Sequence, residues 1–181
     1  MDTVRPRIAI DGVYYDLGDV VMPDYLEYRV VAYYKELDNQ TNELYYILPD
    51  SRNVVETVDA DDVEAFTGTS LEVDRDGDTE RISVDAKASI IYNGEYLSEY
   101  EESDIMPAYG KLTLVDPEGD GSYNTIKVSA YQTVVVQGVN TQDERIYGKY
   151  DGVTLDMDAD KGIVRIVDAS GAAMQLADVS V

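Results

Sequence analysis

The chain has 181 residues, of which 37 are acidic and 14 are basic, so its formal net charge is −23. Such a surface repels nucleic-acid phosphates and anionic membranes, and neither is expected as a partner. Cysteine and histidine are absent, which excludes disulfides, thiol nucleophiles, zinc–thiolate sites and catalysis by an imidazole base.

The apolar residues favour sheets over helices. The chain contains 16 tyrosines, one phenylalanine and no tryptophan. Tyrosine together with valine and isoleucine suits a half-buried pleated surface, where the ring packs and the hydroxyl meets water. The composition therefore predicts an all-β protein.

Two hairpins are predicted in the first 50 residues. Residues 8–10 and 13–15 flank Asp11-Gly12, a dipeptide that provides the positive φ angles of a primed turn. Residues 28–35 and 44–48 are rich in tyrosine and β-branched residues and flank a polar, asparagine-containing break. Runs of this kind on both sides of a polar break predict a second hairpin.

The next segment mixes strand and helix signals. Residues 53–58 read as a strand. Residues 59–66 carry a candidate N-cap and an acidic first turn, and Gly68 follows as a stop signal. One or two helical turns are therefore predicted there.

Short strands and turns continue to the end of the chain, with residues 95–107 predicted as an acidic surface loop. Many short strands at this spacing favour small barrels or sandwiches. The remaining predicted strands cover residues 71–73, 81–84, 89–92, 111–115, 125–136, 145–147, 153–155, 163–167 and 174–176, and the predicted turns include 74–78, Asn93-Gly94 and 168–171.

Several of these segments resemble a repeating segment of large Firmicutes cell-surface proteins that carry S-layer homology domains. The most specific matching stretch is 110–121, and the resemblance runs from about Tyr25 to the C-terminus. The other matching residues are 26–35, Asp85-Ala86, 91–94, Tyr131, 134–136 and 165–176. The resemblance implies a β-rich, envelope-exposed spacer or display region, although the anchoring motifs of that family are absent from this chain.

The acidic stretch 116–124 carries the strongest local chemistry. Its alternating carboxylates followed by glycine resemble the first half of a calcium loop. The candidate ligands are Asp116, Glu118, Asp120, the Tyr123 carbonyl and Asn124, but position twelve is Lys127, where such a loop needs a bidentate glutamate. Two interpretations stay open, a Ca²⁺ site and a solvated acidic turn, and the turn is favoured.

Paired tyrosines form a second feature. Tyr14-Tyr15, Tyr33-Tyr34 and Tyr45-Tyr46 each put two rings on neighbouring strand positions. Neighbouring residues of a strand face opposite sides, so one tyrosine of each pair is expected to be buried and the other exposed if the pairs build a contact surface. A sheet with tyrosines on both faces is the simpler interpretation.

Together these observations predict an all-β chain of two to three small antiparallel barrel or sandwich units, OB-like, with one short helix. The predicted units are an N-terminal β region over 1–58, a central β domain over 59–137 and a small C-terminal β unit over 138–181. No apolar run approaches the length of a membrane span, so membrane insertion is not expected.

The predicted function is a non-catalytic structural or spacer module of an extracellular surface assembly. Its partners would be other protein subunits, with cell-wall glycan as a further candidate, and calcium is the one cofactor that the sequence suggests. Two alternatives stay open. One is a phage tail or virion protein, since the start lacks a visible signal peptide, and the other is a glycan- or receptor-binding module that uses exposed tyrosines.

Overall fold

The structure is a computed structural model that describes residues 6–17, 24–37, 42–131, 133–150, 152–157, 166–168, 170 and 172–180. Within these ranges the chain forms β-strands almost throughout, with one α-helix of four residues and two 3-10 turns. The predicted all-β class is therefore confirmed. No helix in the described ranges is long and apolar enough to cross a membrane.

The N-terminal sheet has the strand order β1-β2-β4-β3. Both predicted hairpins form, because β1 pairs with β2 and β3 pairs with β4 in antiparallel register. In addition, β2 pairs with β4 in parallel. Its core consists of Tyr15, Leu44 and Ile47, all buried on one face. The strands are β1 (Arg7–Ile10), β2 (Val13–Asp16), β3 (Val30–Glu36) and β4 (Asn42–Pro49).

The central sheet has seven strands in the order β5-β10-β11-β8-β7-β6, with β9 beside β8. One turn of 3-10 helix, Ala60–Asp62, joins β5 to β6, yet these two strands lie at opposite ends of the order. The sheet must therefore curl, and it forms a half-barrel, which is consistent with the predicted barrel or sandwich units. The strands are β5 (Val54–Asp59), β6 (Val63–Phe66), β7 (Ser70–Arg75), β8 (Asp78–Tyr92), β9 (Glu95–Leu97), β10 (Gly110–Asp116) and β11 (Tyr123–Ala130).

The C-terminal part forms two small sheets. One has the order β12-β13-β14, and the other is a two-stranded pair of β15 and β16. A 3-10 turn, Leu176–Asp178, follows. The predicted strand over 163–167 is described only at Ile166–Val167, since residues 163–165 lie outside the described ranges. The strands are β12 (Val136–Asn140), β13 (Arg145–Gly148), β14 (Thr154–Asp156), β15 (Ile166–Val167) and β16 (Ala173–Met174).

Three two-residue turns have the predicted chemistry. Asp11-Gly12, Asp76-Gly77 and Asn93-Gly94 all take positive φ angles at both positions. Each one joins antiparallel neighbours, namely β1 to β2, β7 to β8 and β8 to β9. Positive φ at both central residues is the signature of the primed turn that suits the twist of a hairpin.

The helical turns predicted over 59–66 are wrong for the second half of that segment. Only Ala60–Asp62 is helical, and Val63–Phe66 is a strand. The candidate cap Asp59 makes no side-chain hydrogen bond to the turn, whereas Val63 and Phe66 are buried and pair with Val73 and Leu71 of β7. Pairing and burial in the half-barrel outweigh the local helix signals.

The surface loop predicted over 95–107 is also wrong in part. Its first residues form β9, and Glu102–Ile105 forms the short helix α1. The Glu101 backbone N–H donates to the Asp104 carboxylate at 2.8 Å at the start of this helix. Ile105 is fully buried in the core of the half-barrel, so α1 contributes to that core.

The single strand predicted over 125–136 is wrong, because β11 ends at Ala130 and β12 begins at Val136. The last ladder pair between β10 and β11 joins Gly110 to Ala130. The described residues between the two strands, 131 and 133–135, do not belong to a strand.

The prediction of purely antiparallel units is corrected by β8 and β11, which pair in parallel. The two predicted domain boundaries fall inside strands. The boundary near Val58 lies within β5, a member of the seven-stranded sheet, and the boundary near Gln137 lies within β12. The division into three units stays a prediction, but sheet membership places residues 54–59 with the central strands.

Candidate functional site

The acidic turn between β10 and β11 is organised around the Asp116 carboxylate. Asp116 is fully buried, and its Oδ1 accepts the backbone N–H groups of Glu118 and Gly119 at 3.0 and 2.7 Å. Its Oδ2 accepts the N–H of Gly121 at 2.9 Å. Both oxygens therefore bind the backbone of their own turn, which is the role that aspartate commonly plays in turns.

The other predicted calcium ligands point to separate partners. Glu118 pairs with Arg29 at 2.9 Å, and Asp120 accepts the backbone N–H of Ser122 at 3.0 Å. Tyr123, whose carbonyl was the predicted ligand, is the first residue of β11, and its side-chain hydroxyl donates to Glu56 at 3.0 Å. Asn124 Oδ1 is buried and has no hydrogen-bond partner among the described residues.

No group of three or more acidic side chains is arranged to hold a metal ion in the part of the chain that the structure describes. Calcium binding by Asp116, Glu118, Asp120, Tyr123 and Asn124 remains a prediction. The geometry gives Asp116 a structural role whether or not an ion binds.

Lys127, which stands where a calcium loop needs glutamate, has a different role. Its side chain is nearly buried, and Nζ lies 2.9 Å from the Asp24 carboxylate. The same ammonium lies 4.8 Å from the centre of the Tyr28 ring, within cation–π distance. Burial and the nearby Asp24 charge raise the pKa of the Tyr28 hydroxyl. Lys127 thus fastens the segment that precedes β3 to the central sheet.

A second set of contacts strengthens this attachment. The Arg29 backbone N–H donates to Asn53 Oδ1 at 2.8 Å, and Asn53 Nδ2 donates to the Arg29 carbonyl at 2.9 Å. The Tyr96 hydroxyl donates to Glu27, and burial together with this bond raises the pKa of Tyr96. Residues far apart in the sequence therefore hold the N-terminal segment against the half-barrel.

Four strands of the half-barrel share a charged cluster that the sequence did not reveal. Arg75 of β7 pairs with Glu56 of β5 and, at 3.1 Å, with Glu80 of β8. Tyr123 of β11 joins through its bond to Glu56. Burial, followed by that hydrogen bond, raises the pKa of Tyr123 to about 12. Because acid, base and hydroxyl are paired with one another, the arrangement is suited to cross-linking strands.

The outer face of the N-terminal sheet exposes large side chains. We call this set the tyrosine face, and it consists of Tyr14, Val31, Tyr33, Tyr46 and Leu48. Tyr33 pairs with Tyr46 and Val31 with Leu48 across β3 and β4, and the rings of Tyr33 and Tyr46 lie 6.5 Å apart. All five side chains are exposed, whereas the opposite face holds the buried core.

The expected alternation of buried and exposed tyrosines holds for only one pair. Tyr15 is buried and Tyr14 is exposed, but Tyr33, Tyr34, Tyr45 and Tyr46 are all more than half exposed. The register shifts at Tyr33/Tyr34, where Tyr33 faces Tyr46 and Tyr34 faces Leu44. Tyr45 is left over as the bulged residue, and a bulge interrupts the period of two.

Comparison with known proteins gave no match to any protein-family model, curated protein or solved structure.

Proposed function

We propose that this chain is a non-catalytic structural or spacer module of an extracellular surface assembly, with the tyrosine face as its contact to neighbouring protein subunits. The observation that carries the proposal is the exposure of this face. Soluble proteins rarely leave a contiguous group of large apolar and aromatic side chains in water unless the group binds something. Tyrosine is also enriched at protein interfaces.

The rest of the molecule supports a passive role. Asp116 is occupied by its own turn, and Arg75 joins its acidic neighbours in paired cross-links. These interactions stabilise the half-barrel. The absence of cysteine and histidine from the sequence removes the commonest nucleophile–base pairs.

The test is site-specific photo-cross-linking in intact cells that produce the protein. A photo-reactive amino acid replaces Tyr46. The matched control carries it at Asp76, an exposed position in the turn between β7 and β8. Adducts with protein subunits are expected from position 46 and not from position 76. A surface-impermeant label on intact cells checks the location, and the same cross-linking in purified virions checks the phage alternative.

Two results would contradict the proposal. Equal cross-linking from positions 46 and 76 would show that the tyrosine face has no special role. Labelling that requires cell lysis would place the protein inside the cell and end the extracellular assignment.

A further inference from the structure

A second group of exposed tyrosines lines a concave site far from the tyrosine face in sequence. Tyr109, Tyr131 and Tyr150 line a cleft of about 370 Å³, together with Thr133 and valines that include Val153. All three tyrosines are more than half exposed. The volume falls within the roughly 300–1,000 Å³ of small-ligand pockets.

Backbone contacts tie the walls of this cleft together. The Tyr131 N–H donates to the Tyr109 carbonyl at 3.3 Å, which holds the residue before β10 beside the residue after β11. The Lys149 N–H donates to the Val135 carbonyl at 2.8 Å, which holds the end of β13 beside the linker into β12. Three separate segments thus present their rings to one space.

Close packing supports the same arrangement. A Cβ atom added to Gly148 would lie 3.1 Å from Val134 and 3.2 Å from Val153. The absence of a side chain at Gly148 therefore allows β13 to approach the linker that carries Thr133. Lys149 Nζ lies 5.6 Å from the centre of the Tyr150 ring, a cation–π contact that restrains the ring.

The chemistry of the lining selects an uncharged ligand. Among the residues that the structure describes, every side chain at the cleft is uncharged, although 37 of the 181 residues in the chain are acidic. The lining combines aromatic faces with phenol and threonine hydroxyls. A pyranose ring has a matching pattern, with an apolar face of C–H groups and an edge of hydroxyls that donate and accept hydrogen bonds.

We propose that the cleft lined by Tyr109, Tyr131 and Tyr150 binds a neutral oligosaccharide. The rings stack on sugar faces, and the hydroxyls of Thr133 and the tyrosines bond the sugar edges. Binding here is independent of the tyrosine face, so the assembly role and the glycan site can fail separately.

The experiment measures binding of chitotetraose, cellotetraose and maltotetraose to the whole chain by isothermal titration calorimetry. At least one of these neutral probes is expected to bind. A polygalacturonate tetramer of similar size should bind less well, because the net charge of −23 repels its carboxylates. None of the described residues that line the cleft is basic, and the nearby Lys149 ammonium lies over the Tyr150 ring.

Variants then locate the site. Tyr131→Ala and Tyr150→Ala should each weaken binding at least about fivefold, from the loss of one aromatic contact. Tyr131→Phe should keep most of the stacking. The matched control is Tyr45→Ala, because Tyr45 is 58% exposed and Tyr131 is 59% exposed, and it should leave binding unchanged. Equal thermal midpoints for all variants show that they fold.

Three outcomes overturn the inference. The first is no binding of any neutral probe at millimolar concentration. The second is binding that Tyr45→Ala weakens as much as Tyr131→Ala does. The third is a proline-rich peptide that binds the cleft while the sugars do not, since aromatic grooves also accept such peptides.

Discussion

Replacing Asp116 with asparagine probes the acidic turn most directly. The carboxylate accepts three backbone N–H groups, two at Oδ1 and one at Oδ2. Asparagine keeps one acceptor oxygen, which can take the place of Oδ1. Its NH₂ group then takes the place of Oδ2 and faces the Gly121 N–H, so that two donors meet and no hydrogen bond forms there. At least one charge-assisted bond is lost at a fully buried position, which should lower the free energy of unfolding by about 2 kcal/mol. Asp116→Ala loses all three bonds and should lower it by about 4 kcal/mol.

Urea denaturation followed by circular dichroism measures these losses. With a slope of roughly 2 kcal/mol per molar urea, Asp116→Asn should unfold at about 1 M less urea than the wild type. The control is Asp120→Asn, because Asp120 is exposed and accepts a single N–H, from Ser122. Its loss should stay below about 1 kcal/mol. Equal midpoints for Asp116→Asn and Asp120→Asn would refute the role assigned to Asp116.

The same proteins test the calcium prediction. An ion that binds the native turn at 100 times its Kd raises the free energy of unfolding by about 2.7 kcal/mol. A calcium site over residues 116–124 therefore predicts a higher midpoint in millimolar Ca²⁺ than in chelator, and no such rise in Asp120→Asn. Identical wild-type midpoints in Ca²⁺ and in chelator would end the prediction.

Three further variants test the half-barrel. Leu114→Ala removes a fully buried side chain and should lower the free energy of unfolding, measured by urea denaturation, by about 2–5 kcal/mol. Leu48→Ala, at an exposed leucine, should lower it far less. Similar losses for the two variants would contradict the assigned core. Gly110→Ala places a Cβ 2.2 Å from a carbonyl oxygen of β11 and should lower the thermal midpoint strongly. Gly77 also has a positive φ, but a Cβ there would meet open space. The midpoint of Gly110→Ala should therefore lie well below that of Gly77→Ala. Tyr123 has a pKa of about 12 in the folded chain against 10.0 as its ordinary value, so the unfolded state loses its proton first and stability should fall from pH 10 to pH 12. Alkaline titrations should show a shallower fall for Tyr123→Phe, and parallel curves would refute the assignment.

The sequence determined the fold class and much of the local structure. Alternating tyrosine and β-branched residues predicted the strands, and dipeptides such as Asn93-Gly94 predicted the two-residue turns. These features depend on neighbours within a few residues, since turn conformation and strand period are local properties of the backbone. The sequence also favoured an acidic turn over residues 116–124, whereas the burial of Asp116 and its three backbone hydrogen bonds appear only in the structure.

Only the tertiary structure decided which strands meet and which side chains share a site. The parallel pairing of β8 with β11 and the curling of β5 and β6 around the half-barrel bring together segments that no local pattern connects. Arg29 reaches Glu118 across 89 positions, and Lys127 reaches Asp24 across 103. The cleft of Tyr109, Tyr131 and Tyr150 arises in the same way, because a concave site needs walls from separate segments, and their convergence depends on long-range packing that hydrophobic period and turn chemistry do not encode.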